Sequence, residues 1–250
     1  MENFQNCGYL EMYINTVHSY CVFIFCKKQT FFDKNNKKSI NKLSIFMKKP
    51  ILVIPKGRLY KHIKELFLSK GISLPEADTR QYFYPEWSDD CALFIAKPKA
   101  VPQLIHTKYA EFGFCGKDIF KNSEYETSAY KLFDTGLTSV KICLCAKNYT
   151  LDELLHLKRP VIVATEFTHI ASTYFTQLGV PHYILDTTGS TEGYLDINAD
   201  CIIDVVDTGE TLKENNINIL KVLFESTTCL YEHRELCDCV LPKNIQKLLC

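Results

Sequence analysis

The stretch "ADCIIDVVDTGETL", Ala199 to Leu212, combines a run of Ile and Val with a polar, glycine-containing end. Cys201 to Val206 is short, β-branched and bounded by polar residues, so it reads as a buried strand. Asp204 is its one charge. The following Thr208-Gly209-Glu210-Thr211-Leu212 offers a glycine for a tight turn and hydroxyls that can cap a helix. A strand turning through such a loop into a helix aims several backbone N–H groups at one spot, a natural seat for phosphate. The same residues also make an ordinary strand–turn–helix connection with Thr208 as N-cap. Both readings predict an α/β unit.

The flanking sequence repeats that alternation. "ILVIP" (51–55) reads as a strand, and "RLYKHIKELFLSKGI" as a helix through the spacing of Leu59, Ile63, Leu66 and Phe67, with Gly71 as a stop. "CALFIAK" (strand), "AVPQLIHTKYA" (helix) and "EFGFCG" (strand) follow. "KLFDTGLTSVKICLCAK" holds two extended runs, and "PVIVAT", "FTHIASTYFTQLG" and "PHYILD" read as strand, helix and strand. The tail "INILKVLFESTTCLYEH" reads as two antiparallel strands. Strand–helix alternation predicts an α/β fold with mostly parallel sheets and flanking helices. Ligands of such folds gather at the carboxyl ends of strands, where "PKGR" (55–58), "TGST" (188–191) and "DTGET" (207–211) lie.

The 250 residues carry 29 basic and 29 acidic side chains, a balance that speaks against nucleic-acid binding. Residues 1–46 differ: six lysines face Glu2, Glu11 and Asp33. Their apolar patch "YCVFIFC" is too short to span a membrane and has no basic residues ahead of it, unlike a signal peptide. The segment is expected to be an appendage, disordered or a misread start, with the working fold beginning at Met47. The 12 cysteines are scattered, and Cys143 and Cys145 alternate onto one face of a strand like small apolar residues. Cys237 and Cys239 near His233 lack the paired spacing of a structural zinc site, so reduced cytoplasmic thiols are the expectation.

From about Ile51 to Tyr231 the chain resembles the ATP phosphoribosyltransferase family, through six motifs in order: "PKGRL", "DTR" (78–80), "EFGFCGKD" (111–118), "FDTGLTSVKICLCA", "VATEFTHIASTYF" and "GSTEGYLDINADCIIDVVDTGETL" (189–212). The resemblance implies two lobes, similar to the type II periplasmic-binding-protein fold. Residues 47–135 plus 217–250 would form lobe I and residues 136–216 lobe II. It implies transfer of a phosphoribosyl group from phosphoribosyl pyrophosphate to N1 of ATP, the first step of histidine biosynthesis, with Mg²⁺ as cofactor. Asp204, Thr208, Gly209, Glu210, Thr211 and Ser190 would hold phosphoribosyl pyrophosphate, with Glu192 and Asp204 at the ribose. Glu210 is expected to point outward, because a carboxylate beside a phosphate repels it. Lys56, Arg58, Arg80, Lys97 and Asp118 would face ATP and pyrophosphate, with Asp118 alternatively capping the next helix. No metal ligand from the protein is assigned. The family's short form works as a homodimer with a separate regulatory subunit similar to histidyl-tRNA synthetase, and about twenty residues after Tyr231 fit that form.

Four positions depart from the family pattern: Lys97 stands for an arginine, Ala100 for an aspartate and Glu166 for a lysine, and the arginine after the cysteine is absent in "KICLCA", where Lys141 precedes it instead. Lysine keeps the charge at 97 but loses the bidentate fork. Two rivals follow, a catalytically degenerate subunit of the same family and a two-lobed small-molecule-binding protein, since fold alone does not fix function.

Overall fold

The chain divides into Met1–Phe46 and Met47–Cys250. The computed structural model describes residues 49–76, 80–236 and 241–249, all within the second unit. The expectations for residues 1–46 and for Cys237 and Cys239 lie outside the described residues.

Strand β1 (Ile51–Pro55) is buried along its whole length and leads into α1 (Arg58–Ser69). The helix buries Tyr60, Ile63 and Phe67, one turn apart, while Leu59 and Leu66 sit half-buried at the margin of that face. Next come β2 (Phe83–Tyr84), β3 (Ala92–Ala96), a short 3₁₀ turn and α2 (Val101–His106). Strand β4 (Phe112–Gly116), α3 (Lys117–Lys121) and β5 (Ala129–Asp134) complete this half. The second half holds β6 (Val140–Ala146), α4 (Leu151–Leu155), β7 (Val161–Thr165), α5 (Thr168–Gln177), β8 (His182–Asp186), β9 (Cys201–Val206) and α6 (Glu210–Glu214). Strands β10 (Asn218–Ser226) and β11 (Thr228–His233) and helix α7 (Lys243–Leu249) follow. Helix α4 has a full capping box, with Thr150 and Glu153 satisfying each other's backbone N–H groups.

Two sheets result, ordered β2-β3-β1-β4-β11-β5 and β10-β6-β9-β7-β8. The α/β expectation with flanking helices holds, but the sheets are mixed. Parallel pairing is confined to β1 with β3 and β4, and to β7 with β8 and β9, and antiparallel strands flank these centres. Strand β10 pairs with β6 in the second sheet, whereas β11 pairs with β4 and β5 in the first. The two tail strands therefore do not pair with each other. The change of lobe falls at Thr227, one strand later than the expected boundary at 217. A run of strand-forming residues names no partner, so the sequence alone could not assign β10 to a sheet.

Each sheet buries both faces, as the strand period of two requires. Leu52 and Ile54 pack toward α1 and α7, while Ile51 and Val53 pack toward α2. In β6, Ile142, Leu144 and Ala146 face one core, and Cys143 and Cys145 the other, as the alternation predicts. The two chain crossings between sheets are zipped together. Thr135 N–H donates to Thr228 O (3.0 Å), Thr228 N–H to Leu137 O (3.0 Å), and the Thr138 and Thr228 hydroxyls lie 2.6 Å apart. These crossings form the hinge, and the carboxyl ends of β1, β4 and β9 border a cavity beside it.

Candidate active site

The loop after β1 turns at Gly57 (φ 86°, ψ −142°), a backbone region that side-chain-bearing residues rarely enter, and delivers Arg58 to the cleft. The loop after β9 turns at Gly209 (φ 79°), which stands at the N-cap of α6. One contact links the residues that flank these two turns. Arg58 Nη1 lies 3.6 Å from Asp207 Oδ2, an exposed ion pair that joins the first-lobe loop to the start of "DTGET". A cavity of about 220 Å³ lies between the lobes, bordered by Lys56, Arg58, Gly116, Asp118, Val205 and Ser226. A larger one, about 440 Å³, opens beside α5 and β10 among Lys121, His169, Tyr174, Lys221 and Phe224, and no expected site residue borders it.

In the second lobe Thr208, Glu210 and Thr211 are exposed. The N-cap position belongs to Gly209, so the reading of Thr208 as an ordinary cap is corrected. Its hydroxyl accepts only a long bond, 3.4 Å, from Glu210 N–H. Helix α6 spans little more than one turn, so the first-turn N–H groups, rather than a helix dipole, are what the loop presents. Ser190 holds a left-handed backbone (φ 52°), and its carbonyl accepts from Gly193 N–H (3.1 Å). That turn starts the 3₁₀ segment Thr191–Asp196, which carries Glu192. Thr191 is buried with its hydroxyl 3.1 Å from that of Thr187.

Asp204 has an unusual environment. Burial pushes its carboxyl above the usual carboxylate range, and the nearby charges of Glu192 and Glu166 push it further. The Val205 N–H (2.7 Å) and the Thr191 hydroxyl oppose the rise without cancelling it. The charges of three carboxyl groups of the second lobe thus act on one another, without an arrangement that would hold a metal ion among the described residues. A wall of acceptors of this kind suits a ligand rich in hydroxyls.

The first-lobe residues divide. Lys56 sits with its ammonium 5.5 Å from the Tyr82 ring centre. Arg80 precedes Tyr82 on the segment that runs antiparallel to β3, and enters from the cleft end of that strand. Lys97 stands exposed where β3 ends. Asp118 is drawn into the framework: its N–H donates to Ser226 Oγ (2.9 Å), and its Oδ1 accepts from the same hydroxyl (2.5 Å). No side-chain cap is made by the residue preceding α3.

Glu166 is paired. Lys99 Nζ lies 2.7 Å from its Oε2, across the lobes, so the reversed charge is met by a cation from the opposite wall. Sequence reasoning singled out Glu166 but not Lys99, because no local spacing links residues in different lobes. The lysine is largely exposed, and Lys99→Ala is expected to change the unfolding free energy by less than about 1 kcal/mol in urea titration.

A family model described as "HisG: ATP phosphoribosyltransferase" matches residues 97–249. An ATP phosphoribosyltransferase of Aquifex aeolicus is 30% identical over 185 residues, covering 74% of this chain and 85% of that protein. One from Bacillus cereus is 31% identical over 176 residues, covering 69% of this chain and 81% of its own length. The solved ATP phosphoribosyl transferase (HisG:HisZ) complex from Thermotoga maritima aligns with a TM-score of 0.65 at 25% identity, over 80% of this chain and 93% of that one. With matches of this extent, the chain belongs to the ATP phosphoribosyltransferase family.

Proposed function

We propose that this protein is the catalytic subunit of an ATP phosphoribosyltransferase, which joins N1 of ATP to the anomeric carbon of phosphoribosyl pyrophosphate. The carrying observation is the Arg58–Asp207 pair, which sets a guanidinium against the β9 loop whose turn offers free N–H groups. In this reading the 5′-phosphate rests on the turn of Thr208, Gly209, Glu210 and Thr211, with Ser190 alongside. Glu192 and Asp204 accept hydrogen bonds from the ribose hydroxyls. Lys56, Arg58, Arg80 and Lys97 face pyrophosphate and the ATP phosphates.

The N1 lone pair forms the new bond as the anomeric C–O bond breaks, and the bonding electrons leave with pyrophosphate. No general base is needed for the attack. Cationic character on the ribose meets the carboxylates of one lobe, and the growing negative charge meets the cations of the other. Among the described residues no group of three or more His, Cys, Asp or Glu is arranged to hold a metal ion by itself. The acidic wall of Glu192 and Asp204 nevertheless suits a cation carried on the substrate. Mg²⁺ would be held largely by pyrophosphate oxygens near these carboxylates, and would neutralise the leaving group.

A homodimer with a separate regulatory subunit is the proposed assembly, supported by likeness to the HisG:HisZ complex. A cytoplasmic location is proposed with it. No helix among the described residues is long and apolar enough to cross a membrane, and the described cysteines are free thiols.

Calorimetric titration of Mg-phosphoribosyl pyrophosphate into the full chain tests the reading. Saturable binding is expected, weakened at least about tenfold by Thr211→Ala combined with Gly209→Val, since a β-branched residue does not accept the left-handed backbone of Gly209. Undiminished binding by that variant would remove the loop from the site. Failure of the intact, folded protein to bind would favour the degenerate-subunit reading.

A further inference from the structure

Helix α5 begins at the cleft edge of the second lobe, yet the second lobe does not cap it. Its N-cap residue, Phe167, has no side-chain acceptor, and its own N–H is taken by Thr165 Oγ1 (2.8 Å). The cap comes from the other lobe. Asn122 Oδ1 accepts from His169 N–H (3.0 Å) and Ile170 N–H (3.3 Å), and Asn122 Nδ2 donates to Glu166 O (3.1 Å). The two helix donors require the oxygen on their side, which fixes the orientation of the amide. The amide of Asn122 thus accepts from the helix start and donates to the preceding carbonyl at once.

The placement of Asn122 gives this contact leverage. It directly follows α3, whose first turn carries Asp118, bonded to Ser226 on the second sheet beside the hinge. One short helix of the first lobe is thus tied to the second lobe at both ends, near the hinge and at the rim. Opening the cleft would strip two first-turn N–H groups and one carbonyl of their partners, and would part Lys99 from Glu166.

We propose that Asn122 is a positioning residue, a latch that holds the lobes closed by capping α5 across the cleft. A latch raises the population of the closed, binding-competent form, and apparent affinity scales with that population. The kinetic consequence rests on the function proposed above; the latch itself does not.

Amide hydrogen exchange and steady-state kinetics on the full chain, with its regulatory subunit where turnover needs one, test the two halves separately. Asn122→Ala is expected to speed exchange at His169 and Ile170 about tenfold or more, leaving the strand amides of β7 and β9 unchanged. Asn122→Asp keeps the acceptor but loses the donor, so protection of those two amides should survive. In turnover, Asn122→Ala should raise KM for phosphoribosyl pyrophosphate about tenfold with kcat within about twofold. Unchanged exchange at both amides would overturn the latch. Faster exchange with unchanged KM would overturn its role in substrate closure. If the alanine variant fails to fold, loss of protection in Asn122→Asp would count against the proposal by itself.

Discussion

Asp204→Asn is expected to raise the melting temperature of the ligand-free protein by about 2 °C while lowering kcat by about 10²–10³-fold. Both effects have one cause. Burial raises the Asp204 carboxyl above its ordinary range, and the charges of Glu192 and Glu166 add to this. A raised folded-state value means that the stability tied to this group is fully present below the unfolded pKa, about 3.9 for aspartate, and is lost as pH rises through the folded value. Above that folded value the empty protein therefore carries a penalty for the buried charge. Asparagine removes it, a gain of about 0.5–1 kcal/mol, and keeps an oxygen for the Val205 N–H. In catalysis the same charge faces the ribose as positive character develops there, so the neutral amide forfeits the stabilisation. Melting curves of both forms between pH 3 and 7 should converge at the acid end and separate at the neutral end. A variant less stable than the parent at pH 7, or one with full turnover, would sink the account.

The sequence yields the elements of this fold more readily than their partners. Cys201 to Val206 reads as a strand from six residues and is one, because β-branched side chains between polar flanks leave few alternatives. The glycine turns at 57 and 209 are likewise local, since their positive φ angles are properties of single residues. The sheet that takes β10 is not local. The residues of β10 and β11 look alike, yet Thr227 alone separates a strand of the second sheet from a strand of the first. The site divides in the same way. Asp204, Glu192 and the turn at 208–211 lie in one continuous stretch, so the sequence reads them as one unit. Asn122, Lys99 and Asp207 act through partners more than forty residues away in sequence, and no periodicity signals such a partner. Even Tyr60, buried in α1 where Leu59 and Leu66 are only half-buried, takes its place from tertiary packing.

Asp200→Ala should show the opposite sign to Asp204→Asn, although the two aspartates are four residues apart. Asp200 is 6% exposed and accepts three hydrogen bonds, from Arg159 Nη1 and Nη2 at 2.7 Å each and from Ile162 N–H at 2.9 Å. Its own N–H donates to Ile162 O at 2.8 Å, so the residue clamps the entry to β9 against β7. Alanine would leave the Ile162 N–H without its acceptor and the guanidinium without its bidentate partner. Arg159 is half exposed and water can recover part of its loss. A destabilisation of about 3 kcal/mol is expected, at the low end for breaking a buried pair, or roughly 6–12 °C in Tm. Burial alone would raise this carboxyl, but the Arg159 hydrogen bonds, the Ile162 N–H and the guanidinium charge outweigh it and hold the group below its ordinary range. A depressed folded value means that the contribution is present above the unfolded pKa and disappears as pH falls through the folded one. The gap between parent and Asp200→Ala should therefore be full at pH 7 and narrow only below about pH 4. The Asp204 difference carries the reverse sign and closes at higher pH, between its raised folded value and about pH 4, before the Asp200 gap begins to narrow. Arg159→Leu distinguishes the pair from the carboxylate: it should cost stability and shift the acid limb upward, because the lone buried Asp200 then titrates at higher pH. Acid limbs that coincide in the parent and Arg159→Leu would mean that the guanidinium does not hold the carboxylate, and the clamp would reduce to its backbone bonds.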